Sequence, residues 1–141
     1  MVDSTILLRK LAALAEHVAR LRRRLPADSA ALVGDVDRQD ALAMSFLVAV
    51  QQALDIAAHI AADEGYGVAP SYSGAFRLLA ERGVLDPSDA ENLAKAALLR
   101  NRIAHGYTSG DFNRLWHEIP TAIQAFDAFA QRSATRFLVR P

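Results

Sequence analysis

The chain contains no cysteine. That excludes disulfides and every nucleophile or metal site built on a thiolate, and it suits a reducing, cytoplasmic compartment. Glycine (7) and proline (5) are sparse in 141 residues, and no alternating β-branched run occurs, so little material exists for strands. The formal net charge is zero, which excludes a broadly basic coat for nucleic acid. Lysine is almost missing: Lys10 and Lys95 are the only two among 16 basic residues. The arginine that replaces it presents a planar fork suited to phosphate, although a GC-rich genome would produce the same bias together with the abundant alanine. No uninterrupted apolar segment reaches the roughly 18–20 residues of a bilayer span. The opening "MVDSTILLRKLAAL" places Asp3, Arg9 and Lys10 where a signal peptide needs apolar residues. No membrane association is expected.

What the sequence does contain is helical periodicity, in a length that fits a single domain over residues 1–141. Leu7, Leu11, Leu14, Val18, Leu21 and Leu25 recur at three- and four-residue steps behind a capping Asp3 or Ser4, and Pro26 ends the pattern. Residues 37 to 63 read as one long helix with Leu42, Phe46, Ala49, Val50, Ala53, Ile56 and Ile60 on its apolar face. "EGYGVAPSYSG" is a loop, and "GAFRLLAERG" is a short helix closed by Gly83. Asp86 or Ser88 caps the next helix, with Pro87 in its first turn. "GYTSGD" is a second polar loop, and the last helical region runs from about Asp111 to Phe137. Pro120 predicts a kink there, or two abutting helices. The fold expected is all-α: an antiparallel bundle of four long helices plus a short extra one.

One stretch does not fit a purely structural reading. "RNRIAHGY", residues 100 to 107, follows the apolar run Ala96-Ala97-Leu98-Leu99 and gathers two arginines, an asparagine, a histidine and a tyrosine at a helix end. Arg100 and Tyr107 would share a stripe if the helix continued. Arg100 and His105 would stand about 140° apart on an ideal helix, so one helix alone does not aim them at one point. A helix ending at Gly106 could reorient the tail of the motif, and a second copy of the chain could bring the groups together across a cleft. By spacing alone, C-terminal-turn cations that favour the helix dipole explain the same residues.

Arg100, four residues, His105, one residue, Tyr107 forms an Arg-x4-His-x-Tyr motif. With its flanks "QQALDIAAHIAADEG", "PSYSGAFRLLAERGVL" and "LLRNRIAHGY" in that order, the chain resembles the HEPN superfamily, and within it the HepT toxins of HepT/MntA toxin–antitoxin pairs. The similarity covers roughly residues 5 to 130. The resemblance implies an HEPN-like bundle and a homodimeric, metal-independent endoribonuclease that needs no cofactor and cuts tRNA or another RNA. Arg100 and His105 would be catalytic, and Asn101 and Arg102 supporting. Histidine can move a proton near neutral pH, and arginine can hold a phosphorane through a bidentate fork. The resemblance further implies an MntA-type nucleotidyltransferase antitoxin that transfers AMP to Tyr107. A phosphodiester there would pair with the cation and fill the cleft. The alternative is a catalytically inactive helical module that binds such a nucleotidyltransferase.

Other residues read more plainly. Asp55, His59 and Asp63 share a stripe of the long helix. They are read as a solvated or hydrogen-bonded face rather than a metal site, with Asp55 or His59 lining the cleft. The run "RLRRRL", residues 20 to 25, is the densest basic cluster. It reads as a solvated helix end, with RNA phosphates as the competing partner. His17 and His117 are expected at the surface or rim, Tyr66 and Tyr72 against the bundle, and Trp116 in the core or a dimer interface.

Overall fold

Apolar side chains at three- and four-residue steps become buried stripes in the computed structural model, which describes residues 1–138, with the side chains of residues 109 and 110 outside that description. The helices are α1 (Ser4–Arg24), α2 (Val36–Glu64), α3 (Tyr72–Glu81), α4 (Pro87–Ala104) and α5 (Ser109–Phe137), with a 3-10 turn at Ser29–Leu32. Four are long and α3 is short, as the periodicity predicts. Asp3 caps α1 by accepting from the Ile6 amide. Asp35 caps α2 through the Arg38 amide, and Ser71 caps α3 through the Gly74 amide. The α3 cap lies three residues before the predicted start. The serine that ends the loop is therefore the helix signal, which the loop-like composition of "PSYSG" obscures.

Polar contacts fix the relative directions. The Met1 ammonium donates to the Asp63 carbonyl (3.0 Å) and the Asp3 amide to Asp63 Oδ2 (2.9 Å), so the start of α1 meets the end of α2. At the other end, Arg24 donates to Ser45 Oγ (2.7 Å). The two helices are thus antiparallel. Arg132 pairs with Asp86 and Arg102 with Asp111, which makes α4 and α5 antiparallel as well. Between the helices lie Leu7, Leu14 and Leu21 of α1, Leu42, Phe46, Ile56 and Ile60 of α2, Phe76 and Leu79 of α3, Leu93 and Leu99 of α4, and Phe126 and Phe129 of α5. Burying each of the larger side chains contributes about 1.5–3 kcal/mol. Phe76 and Phe129 meet edge to face at 5.9 Å between centroids.

Two expectations change. Pro120 lies inside one continuous helix rather than between two. It removes a single backbone bond, while Leu115, Ile119, Ile123 and Phe126 on either side keep α5 packed. Second, α2 as a whole is long and apolar enough to cross a membrane by length and composition. Polar and charged residues interrupt this helix, so no single stretch of the sequence displays its overall apolar character. About half of its apolar window is buried inside the bundle, where it forms the central core helix.

The basic run at the end of α1 contacts the protein itself. Arg20 pairs with Glu16, Arg22 with Asp127, and Arg24 with Ser45. Trp116 is half-buried against the core, and its indole N–H donates to the Pro26 carbonyl (2.8 Å). Its ring meets the exposed His117 edge to face.

Candidate functional site

The end of α4 carries the site. Ala90, Leu93, Ala94, Ala97 and Leu99 pack this helix into the bundle, and Ile103 anchors its last turn. His105 is the C-cap, with near-helical φ −91° and ψ 9°, and its amide donates to the Asn101 carbonyl. Gly106 follows at φ 108°, a backbone that an L side chain rarely adopts. Nothing would obstruct a Cβ there, so glycine is required by conformation and not by space. This residue turns the chain out of the α4 direction and sends Tyr107 back toward α2.

Arg100 projects along α2. Its Nη2 donates to Gln51 Oε1 (3.1 Å) and its Nη1 to Asn101 Oδ1 (3.3 Å). Gln51 in turn donates to Asp55 Oδ1 (3.0 Å). The guanidinium carbon lies 5.7 Å from the centre of the Tyr72 ring. The carbonyl oxygens that hold Arg100 are neutral, and its Nε is buried with no partner. An arginine oriented by amides, with no carboxylate among its described partners, keeps its charge available to an anion.

Beside it opens a cavity of about 880 Å³. Alanines 58, 61 and 62 of α2 form one wall and the 65–71 loop another, while Gln51, Asp55, Asn101 and Tyr72 supply its polar rim. Tyr72 is 51% exposed.

Tyr107 occupies a separate point on the same face of α2. Its hydroxyl donates to Asp40 Oδ1 (2.6 Å), and its ring lies edge-on to Phe112 at 4.7 Å. The ring is 41% exposed. The Asp40 carboxylate stabilises the protonated phenol and, with partial burial, holds its pKa above the usual tyrosine value. Asp40 and Gln51 are eleven residues apart, three helical turns or about 16 Å along α2. Arg100 and Tyr107 therefore address one stripe of α2 at two depths.

Arg102 does something different. Its Nε donates to Asp111 Oδ1 (2.9 Å), and the carboxylate also accepts from the Thr108 amide (2.9 Å) and hydroxyl (3.2 Å). The backbone hydrogen bond from Thr108, followed by the one from Arg102, holds the Asp111 carboxyl below the usual carboxylate range. This arrangement fastens the start of α5 to the end of α4.

The residues singled out in the sequence divide accordingly. Asn101 and Asp55 line the cavity, and Arg100 is held next to its wall by Gln51 and Asn101. Asn101 serves Arg100 through its side chain and His105 only through its backbone carbonyl. His105 is exposed, and its imidazole makes no hydrogen bond among the described residues. Tyr107 stands apart on Asp40. His59 does not line the cavity: one turn beyond Asp55, its Nε2 lies 3.3 Å from Asp63 Oδ2, next to the N-terminus of α1. That contact lacks hydrogen-bond alignment. Among the described residues, no group of three His, Asp or Glu side chains is placed to hold a metal ion. Tyr66 packs against the bundle with Arg82 over its ring at 5.0 Å. Gln51 and Asp40 were not singled out by the sequence, because the residues they hold are 49 and 67 positions away.

A family model described as ribonuclease HepT-like matches residues 14–133. The mRNA nuclease HepT of Shewanella oneidensis is 24% identical over 124 residues, which cover 88% of this chain and 92% of that protein. Among the solved structures that share the fold are two toxin–antitoxin assemblies. One is a toxin–antitoxin complex with AMP-PNP, at a TM-score of 0.84 and 22% identity over 93% of this chain and 98% of that one. The other is a tri-AMPylated HEPN toxin of Shewanella oneidensis in complex with an MNT antitoxin, at a TM-score of 0.83 and 24% identity over 96% and 99%.

Proposed function

The chain belongs to the HepT-like ribonuclease family, and on that premise we propose that it is the toxin of a toxin–antitoxin pair, a homodimeric, metal-independent endoribonuclease restrained by AMP transfer to Tyr107. The observation that carries this reading is the state of Arg100: fixed by the neutral amides of Gln51 and Asn101, beside an open cavity, with no carboxylate among its described partners.

In this chemistry the ribose 2′-OH adjacent to the scissile phosphate is the nucleophile. Arg100 holds the phosphate and stabilises the charge of the phosphorane. One exposed His105 takes the 2′-OH proton, and the partner subunit's copy protonates the leaving 5′-oxygen. A single chain supplies one imidazole for two proton transfers, so the dimer completes the set. An exposed apolar side chain lies on the same stripe of α2 and favours a second copy there: Met44, between Asp40 and Gln51. An MntA-type nucleotidyltransferase would be the antitoxin, in line with the MNT antitoxin bound to the tri-AMPylated HEPN toxin that shares the fold. AMP on Tyr107 adds a phosphodiester to the face that Arg100 addresses, competing with RNA by charge and bulk.

The test uses purified protein with a single-stranded RNA in the presence of EDTA. Cleavage should leave a 2′,3′-cyclic phosphate and a 5′-OH, and a 2′-deoxy substitution at the cut position should abolish it. His105→Ala should lower the rate about 1000-fold with the circular dichroism spectrum unchanged. Cleavage that persists in His105→Ala would overturn the assignment of His105, and a wild-type protein that cuts no RNA would leave the binding-module reading.

A further inference from the structure

The RNA-cleaving chemistry proposed for Arg100 and His105 makes no use of Asp40, yet this carboxylate is bonded to the one hydroxyl that the antitoxin would modify. Three features bring the pair together. Gly106, at φ 108°, reverses the chain. Phe112 supports the edge of the Tyr107 ring at 4.7 Å. Asp40 then accepts from the hydroxyl at 2.6 Å. Both residues are exposed, so an incoming nucleotide has access to the phenolic oxygen.

We infer that Asp40 is the general base for nucleotidyl transfer to Tyr107, supplied by the acceptor protein and not by the transferring enzyme. The inference rests on the proposed modification of Tyr107. A phenol that ionises near pH 10 is about one part in a thousand phenolate at neutral pH. The bond to Asp40 lowers that fraction further, because it favours the protonated form. Attack through preformed phenolate is thereby disfavoured. Attack coupled to proton transfer is favoured, since the proton already points at its acceptor.

The step balances as follows. Tyr107 Oη forms a bond to the α-phosphorus of ATP presented with its metal by the nucleotidyltransferase. The bond from that phosphorus to the bridging oxygen of the β-phosphate breaks, and pyrophosphate leaves with the electron pair. As the new O–P bond forms, the phenolic proton becomes acidic and passes to Asp40 Oδ1, which later releases it to solvent. The product is an aryl phosphodiester with no proton left for Asp40. The 2.6 Å bond is then lost, and two anions stand side by side. Modification therefore also pushes the 105–108 turn away from α2.

The experiment measures the initial rate of AMP transfer from radiolabelled ATP to the full-length protein by its cognate MntA-type nucleotidyltransferase, with mass spectrometry locating the label. Wild type should carry AMP at Tyr107, and Tyr107→Phe should carry none. Asp40→Asn should slow transfer about 100-fold while RNA cleavage by the unmodified variant continues at the wild-type rate, which also reports an intact fold. Asp40→Glu should recover most of the loss. A fluorinated tyrosine at position 107, whose phenol is already ionised at neutral pH, should make transfer insensitive to Asp40→Asn, an effect that a merely structural contact would not produce. Transfer to Asp40→Asn within about threefold of wild type overturns the base assignment alone and leaves Tyr107 as acceptor. An unlabelled wild-type Tyr107 overturns both this inference and the proposed mode of inhibition.

Discussion

Arg100 and Arg102 are two residues apart near the end of α4, and they receive opposite treatment. Arg102 meets a carboxylate, Asp111, whose other oxygen is bound by Thr108. Its charge is neutralised within the protein and ties two helices together. Arg100 meets only amide oxygens, which orient the guanidinium without cancelling its charge. The difference shows how one helix end carries both a fastening and a reactive cation: the sign of the partner decides which arginine remains available to an external phosphate.

The sharpest test of this contrast removes each arginine in turn. Arg100→Ala should reduce RNA cleavage about 1000-fold, the scale of losing a preorganised donor to a developing oxyanion, with little change in melting temperature. Arg102→Ala should do the reverse, leaving cleavage within a few-fold and lowering the melting temperature. Equal loss of cleavage in both would end the distinction. A smaller effect is expected for Gln51→Leu, which removes the oxygen that holds Arg100 Nη2 and keeps a side chain of similar size. Cleavage should fall about tenfold, chiefly in kcat, as one charge-assisted hydrogen bond that positions the cation is lost. Steady-state kinetics on a defined RNA would separate kcat from KM.

The smallest effect concerns the fastening itself. Asp111→Asn should lower the melting temperature by about 4 °C at neutral pH, the scale of a lost cap in a domain of this size. The folded carboxyl titrates below its unfolded value. Its stabilisation is therefore fully present above the ordinary carboxylate range near 4 and is lost as the pH falls through the depressed folded value. The gap between wild type and Asp111→Asn, followed by calorimetry, should hold from pH 8 to about 5 and close below that range. A gap that widens in acid would contradict the assignment.

The bundle was legible because its signals are local and repeated. Leu7, Leu11, Leu14, Val18 and Leu21 specify a helix and its buried face at once, and each of them is buried as expected. Gly106 was legible for the same reason: a glycine at a helix end announces a left-handed turn. The partners of the motif were not, because they depend on how far α4 slides along α2. Gln51 and Asp40 are 49 and 67 positions from the residues they hold, and no short spacing records such a register. His59 shows the limit of a shared stripe. Asp55, Ala58, Ala61 and Ala62 line the cavity, while His59, on the same helix, faces Asp63 and the α1 junction. Of the two outcomes that Pro120 allowed, a kink or two abutting helices, the second is absent because packing on both sides of the residue outweighs one missing bond.

The single tryptophan of the chain offers a practical dividend. Because the Trp116 indole is bonded to the Pro26 carbonyl, its emission reports directly on whether the turn after α1 remains docked on α5. Every variant at Arg100, His105, Gln51 or Asp40 can thus be screened for intact folding by intrinsic fluorescence, without adding a dye or a second aromatic probe.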